Sequence, residues 1–468
     1  MMTTSKTPNR LVATLFAIQI LSFGVHADPT SDQIEALKQQ IQALSQKVDE
    51  LQQQQQKQQL QVTTSGAPIN SNAPFITAGT GGFSLRSADE NFILNLRGFA
   101  QVDSRDYLRS EPGRDTFYIR RMRAIASGAV YHDYEYYLQT DFAALDTATT
   151  TNNSFLQDAY VNFHHWDEFQ AQVGKMKEPV SLEVLPLDQY LWFLERGFPT
   201  ELAPNRDVGA YFHGDLGKGA FQYAAGVFNG VPDGGSGDIE VADNDKDVVA
   251  RGIVTPFLHT DIDPVKHFSF GIGSSYGVQG GSTTPTFATV ARQTFFSYSN
   301  TVSETGQHLR LDPQAYYYWG PFCAYGEYAI SDEEFKLATS KLNQKHYFEN
   351  KGWDVVASYY LTGESNVFGV LPTVNHPFRF NSSGWGAWQL AARFGEISLD
   401  PAAFPLYAAK SSAQAAKSWS VALNWYLNRN VKCIFEYDQT AFTGGSHSVG
   451  AVTAHDEMAL QGRLQFGF

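Results

Sequence analysis

From Asn91 onward, apolar and polar residues alternate with a period of two, the repeat of an extended strand that shows each face to a different environment. In the first run Phe92, Leu94, Leu96, Gly98, Ala100 and Val102 share one face, and Asn95, Arg97, Gln101 and Asp103 share the other. The pattern recurs with Tyr134, Tyr136, Leu138 and Phe142 against Glu135, Gln139 and Asp141, then with Ala159, Val161 and Phe163 against Asp158, Tyr160 and Asn162. Near the end Val421, Leu423, Trp425 and Leu427 lie against Asn424, and Asn428-Arg429-Asn430 makes a tight turn. The last run reaches the final residue: Met458, Leu460, Gly462, Leu464, Phe466 and Phe468 alternate with Glu457, Gln461, Arg463 and Gln465.

Two stretches follow other rules. Ile34, Leu37, Ile41, Leu44, Val48 and Leu51 are spaced alternately by three and four, an a/d heptad seam, and Asp32 with Glu35 can cap the helix start. Residues 28–60 are therefore predicted to be a coiled-coil segment, and the Ser, Thr, Asn, Pro and Gly of residues 61–82 a flexible linker. The second stretch runs from Gly174 to Gly209, where Pro179, Pro186, Pro199 and Pro204 forbid a continuous ladder and basic and acidic residues mix. A long loop of this kind between clean strands is expected to have a job.

Ahead of all this, Lys6 and Arg10 precede the apolar stretch Leu11 to Val25, and Val25-His26-Ala27 offers a small-x-small cleavage site. This predicts a signal peptide over residues 1–27. Its removal takes away two basic and no acidic residues, so the formal charge falls from −14 to −16. Such an acidic balance argues against nucleic acid as a partner. Charged residues are 18% of the chain and aromatics 14%, and no apolar run is long enough for a membrane helix. A soluble sandwich would alternate too, but alternation over residues 83–468 exceeds what one sandwich core needs.

The prediction is an all-β fold: a transmembrane antiparallel β-barrel of about 16 strands spanning 83–468, with short turns on one side and long polar loops on the other. Closure removes the open edges of so long a sheet. The stretch around Gly174–Gly209 is expected to fold inward as a constriction loop. In the strand Phe117 to Tyr131, Met122, Ala124, Ala126 and Val130 face lipid, so Arg121 and Arg123 point into the lumen and Arg120 sits near the rim. A guanidinium facing hydrocarbon at mid-depth would cost about 2–4 kcal/mol. Pairing with Glu135 or Asp141 would neutralise these arginines; left unpaired, they would attract anions.

The segments GKMKEPVSLE, FLER, ELAPNRDVG, DNDKDVVARG, WGAWQLAARFGEISLD and LNWYLNRNVKCIFEY together resemble the phosphate-selective porin O and P family, from about Leu94 to Phe468. The resemblance implies a 16-stranded barrel, a homotrimer, and a third loop folded into the lumen of an outer-membrane channel. Its phosphate-specialised members carry a lysine on that loop a few residues before a Glu-Arg pair. The matching position here is Gln189, followed by Tyr190. The candidate pore-lining, anion-guiding residues are Arg97, Arg121, Arg123, Lys175, Lys177, Gln189, Arg196 and Arg206.

The expected activity is passive diffusion of small hydrophilic solutes with a preference for small inorganic or organic anions, phosphate-type oxyanions foremost. The expected place is the outer membrane of a Gram-negative bacterium, with lipid around the barrel and the N-terminal segment in the periplasm. The alternative is a structural protein that grips the cell wall or a periplasmic partner through residues 32–60, with transport secondary.

No catalytic residue, metal or cofactor is expected. Asp243, Asp245 and Asp247 start like a calcium loop, but the turn position is Val248 and the twelfth is Val254, so a solvated acidic loop is predicted. Gly273-Ser274-Ser275-Tyr276-Gly277 has the G-x-S-x-G spacing yet lies within an alternating strand with no helix after it. His164 and His165 are adjacent and face opposite ways. Cys323 and Cys433 fall on opposite strand faces, which disfavours a disulfide.

Overall fold

The structure, a computed structural model, describes residues 73–108, 113–145, 155–237, 244–280, 284–337, 344–445 and 456–468. The signal peptide, the heptad segment and residues 61–72 of the expected linker lie outside the described residues, as does Asp243.

Sixteen antiparallel strands form the wall. The first eight are Phe92–Tyr107, Thr116–Val130, Tyr134–Asp141, Leu156–Trp166, Phe169–Lys177, Arg206–Leu216, Phe221–Phe228 and Asp247–Val254. The second eight are Phe268–Gly280, Val302–Trp319, Phe322–Leu337, Lys345–Tyr360, Ala387–Ser398, Ala415–Tyr426, Val431–Thr443 and Glu457–Gly467. Each pairs with the next in sequence. The last pairs with the first from Ala459↔Tyr107 to Gly467↔Phe99, so the sheet closes into a barrel.

The period-two pattern maps directly onto the two faces. In the final strand Leu460, Leu464 and Phe466 stand exposed on the outer face while Gln461, Arg463 and Gln465 are buried inside. In the first strand Phe92, Leu96 and Val102 are outward and Gln101 and Asp103 inward. A face this apolar is stable only against hydrocarbon, which is the environment a spanning barrel meets. Buried Cys323 pairs in register with Ser358, which points inward, whereas Cys433 shares the outward face of Phe435; both thiols are free.

Two connections at the terminal end of the barrel, where Phe92 opens the first strand and Gly467 closes the last, depart from the expected short turns. Most are brief, as at residues 320–321, where Gly320 adopts a positive φ of 53° that a two-residue turn requires. By contrast residues 255–267 and 361–386 are long. Phe368 in the second of these turns back into the barrel and packs on Tyr325 and Tyr316, with ring centroids 4.9 and 5.8 Å away. Part of the expected linker is likewise ordered: Phe75–Gly79 pairs with Gly82–Arg86, and that hairpin docks on Ile93 to Leu96. Thr80-Gly81 supplies the turn that lets so short a stretch fold locally.

Residues 178–205 lie inside the barrel. Trp192, Phe193 and Leu194 are buried against inward-facing Tyr325, Val356, Ala391, Ala422 and Ile434. Each such side chain contributes about 1.5–3 kcal/mol by leaving water. Backbone carbonyls of the segment accept from the wall all round: Val180 from Gln314, Leu191 from Lys432, Trp192 from Asn424, and Asp188 and Gln189 from Gln101 and Gln465. Gly273, the first glycine of the G-x-S-x-G match, is what lets the segment in, because a Cβ there would meet the Val180 carbonyl oxygen at 2.0 Å. At the opposite end from the termini, a second hairpin (Thr286–Ala288 and Thr294–Ser297) brings Phe287, Phe295 and Phe296 against inward Phe335 and Phe348.

Candidate functional site

The inner segment and the second strand meet in a knot of charge. Regular alternation would aim Arg120 away from Arg121, but the register jumps from Gln101↔Arg121 to Val102↔Ile119, leaving Arg120 as the extra residue of a β-bulge. The bulge turns Arg120 inward instead of leaving it at the rim. There its Nε and Nη2 donate to Glu195 at 2.6 and 3.0 Å. Glu195 also faces Arg121 at 3.6 Å and Arg292 at 3.5 Å. Asp188 is the second hub: Arg121 lies 3.2 Å away, and Arg123 and Arg196 both donate to it. Arg123 is held from the other side by Asp141 at 2.8 Å, while Glu135 pairs with His164.

Burial pushes the carboxyls of Asp188 and Glu195 toward the neutral form, yet the surrounding guanidiniums outweigh it and hold both well below the usual carboxylate range. Both stay ionised near neutral pH. The knot thus contains five guanidiniums (Arg120, Arg121, Arg123, Arg196, Arg292) and three carboxylates (Asp141, Asp188, Glu195), an excess of two positive charges.

The wall opposite is acidic. Thr116–Val130 is the second strand of sixteen, and the tenth to twelfth, half a turn round, carry Asp312, Glu327 and Asp354, all buried. Glu327 accepts from Ser181 Oγ at 2.8 Å and from the Glu183 backbone N–H. Glu183 in turn accepts from the Tyr325 hydroxyl at 2.9 Å and the Gly197 N–H at 2.7 Å. The segment is therefore strapped between a basic and an acidic wall.

The remaining sequence-predicted residues divide into braces and liners. Lys177 donates to the Pro186 carbonyl at 2.7 Å, Arg206 pairs with Asp158 at 3.2 Å, and buried Lys175 lies near Asp207. Arg196 also ties down the Glu183 and Pro186 carbonyls. Arg97 and Gln189 sit together, lining a cavity near the termini with Tyr190, Arg429 and Gln465. Arg97 Nε has no hydrogen-bond partner there. Asp245 is exposed as expected of a solvated loop, but Asp247 is not: it begins a strand, is buried, and accepts from Gln279 and Arg310.

Sequence reasoning missed Arg120, Arg292, Arg393 and Lys432 as lumen cations. Arg393 donates to the Glu195 carbonyl at 2.9 Å and Lys432 to the Leu191 carbonyl at 2.7 Å. The signal for the last two was available: each alternates with outward apolar neighbours, as Arg463 does between Leu460 and Leu464. Arg463 makes a bidentate pair with Asp103 at 2.7 Å for both bonds.

A closed barrel of 16 antiparallel strands with an apolar exterior and a polar, charged interior has the architecture of a porin-like channel. The family model described as phosphate-selective porin O and P matches residues 94–468, and the chain belongs to that family. A search among curated proteins gives no match. Among solved structures it is similar to the outer membrane channel DcaP of Acinetobacter baumannii at 9% identity and a TM-score of 0.51, covering 81% of this chain and 98% of that one. It is also similar to an anion-selective porin from Comamonas acidovorans at 10% identity and a TM-score of 0.49, covering 80% and 99%. At such identities the likeness is one of fold.

Proposed function

We propose that the protein lets small hydrophilic solutes diffuse passively across the outer membrane, with residues 178–205 as the constriction and a moderate preference for anions. The observation that carries this reading is the net positive knot at Asp188 and Glu195. Two of its five guanidinium charges are compensated by carboxylates of the inner segment itself and a third by Asp141 of the wall, so a permeating anion meets two surplus charges rather than five. Arg97, without a carboxylate partner among the described residues, extends the basic track toward the end that carries the termini, which we place in the periplasm. A lumen of this kind favours oxyanions such as phosphate without holding them tightly, because Gln189 supplies no ammonium where phosphate-specialised relatives carry one.

The proposal includes a homotrimer in outer-membrane lipid and a periplasmic coiled coil over residues 28–60, motivated by the heptad seam. Liposome swelling tests the transport reading. Vesicles containing the purified protein should swell in small sugars and organic anions, and faster in an anion than in a cation of equal size. Equal or reversed rates would overturn the anion preference, and no swelling would overturn diffusion itself.

A further inference from the structure

A second cluster, remote in sequence from the inner segment, has no role in the reading above. Asp233 comes from the connection after strand Phe221–Phe228, Glu304 and His308 from strand Val302–Trp319, and Glu333 from strand Phe322–Leu337. His308 and Glu333 are cross-strand partners in register. All four side chains are buried, with His308, Glu333 and the Asp233 carboxylate shut off from solvent completely. One ligating atom from each of Asp233, His308 and Glu333 lies within 4.8 Å of the other two.

The polar accounting there does not balance. With the carboxyls ionised, neither Glu333 oxygen has a hydrogen-bond partner, nor do Asp233 Oδ2, Glu304 Oε1 and His308 Nδ1; Glu304 and Glu333 bond to each other only when one of them carries a proton. His308 Nδ1 faces Glu333 at 3.6 Å, beyond hydrogen-bond range, while its Nε2 lies 2.8 Å from Ser331 Oγ and 3.3 Å from Asp233 Oδ1. With Asp247 the pocket holds four carboxyls, and the one guanidinium facing them, Arg310, is spent on Asp233 and Asp247. Buried polar atoms are almost always satisfied, and each exception asks for an unseen partner. Three carboxyls and an imidazole, each with an unpartnered oxygen or nitrogen and all shut off from water, call for a cation.

We propose that Asp233, His308 and Glu333, with Glu304 as a fourth ligand, bind one divalent transition-metal ion, Zn2+ or Mn2+. The imidazole favours these borderline ions over Ca2+ and Mg2+, and the carboxylates suit Mn2+ in particular. The Nε2–Ser331 contact leaves Nδ1 as the nitrogen free for the metal, in the way that ligand histidines are usually steadied through their other nitrogen. The ion would clip the connection bearing Asp233 onto two wall strands at the end opposite the termini. No local motif announces it, since the ligands are brought together only by barrel register.

The test uses the purified full-length protein in detergent, stripped with EDTA, dialysed against micromolar Zn2+ or Mn2+, and assayed by elemental analysis and thermal unfolding. About one equivalent per chain is expected, with a higher unfolding temperature that EDTA reverses. The Mn2+ form should show 14N coupling from one imidazole by pulsed electron paramagnetic resonance. Glu333→Gln and His308→Gln should each lower occupancy at least tenfold while keeping the heat-modifiable gel mobility of a folded barrel. Should either variant fail to fold, the 14N signal of the unaltered protein still decides. Less than a tenth of an equivalent in that protein, absence of 14N coupling, or full occupancy in folded E333Q would overturn the assignment; the first result would mean that protons, not a metal, neutralise the cluster.

Discussion

Replacing Glu195 with Gln removes one negative charge from the knot while keeping a side chain of the same length. Glu195 holds Arg120 through two hydrogen bonds and faces Arg121 and Arg292. The substitution raises the surplus from two positive charges to three. A unit charge acts on an ion about 4 Å away with about 1 kcal/mol in water, corresponding to about a fivefold change in relative permeability, and screening reduces this toward twofold. The cost in stability is about 1–3 kcal/mol, because Arg120 keeps a neutral acceptor in place of a charged one. The assay is the reversal potential in a planar bilayer under a potassium chloride gradient. An unchanged or lowered chloride preference in E195Q would refute the reasoning. The carboxyl is held low in the folded protein, so its contribution is complete above the unfolded value of about 4.3 and is lost only as pH falls through the depressed folded value. Glu195 therefore adds no pH dependence of its own from pH 8 down to about 5, so the reversal potentials of E195Q and the unaltered protein should shift by the same amount over that range.

Other perturbations probe separate parts of the account. Gly273→Ala puts a Cβ onto the Val180 carbonyl oxygen, displacing the start of the inner segment, so single-channel conductance and trypsin cleavage within 178–205 should rise; unchanged values would mean that the segment does not depend on this approach. Gln189→Lys adds an ammonium beside Arg97 and should increase chloride preference and create block by added phosphate, whereas identical currents would show that this cavity is off the ion path. Glu201, in the inner segment, is half-buried, and the loss of water around it pushes its carboxyl up to about 7. Because the folded protein binds its proton more tightly than the unfolded chain does, stability should fall as pH rises from about 4.3 to 7. Thermal unfolding of Glu201→Gln should lose that part of the pH dependence, and an identical slope would contradict the assignment.

The barrel was legible because lipid and lumen impose opposite polarity on successive residues, a signal that survives over every strand. It blurred where a third environment intervened. Phe335 and Phe348 face inward yet are apolar, since they meet the Phe287–Phe296 hairpin rather than water. Arg120 was misplaced because a bulge shifts the count by one residue, and a bulge has no signature in polarity alone. The inner segment could be recognised by its prolines and mixed charge. That Asp188 and Glu195 gather the arginines depends on how the segment lies across the lumen, which alternation does not encode. The hairpin at Phe75–Gly79 was hidden in a stretch whose composition reads as linker.

The most direct test of the central claim, a moderately anion-preferring channel whose basic wall is partly compensated by carboxylates of its own inner segment, is the reversal potential of the unaltered protein under a potassium chloride gradient, repeated with added phosphate. The account predicts a chloride-preferring potential and currents that fall only at millimolar phosphate. Cation preference would contradict the surplus of positive charge at Asp188 and Glu195, and block at micromolar phosphate would contradict the compensation that those two carboxylates provide.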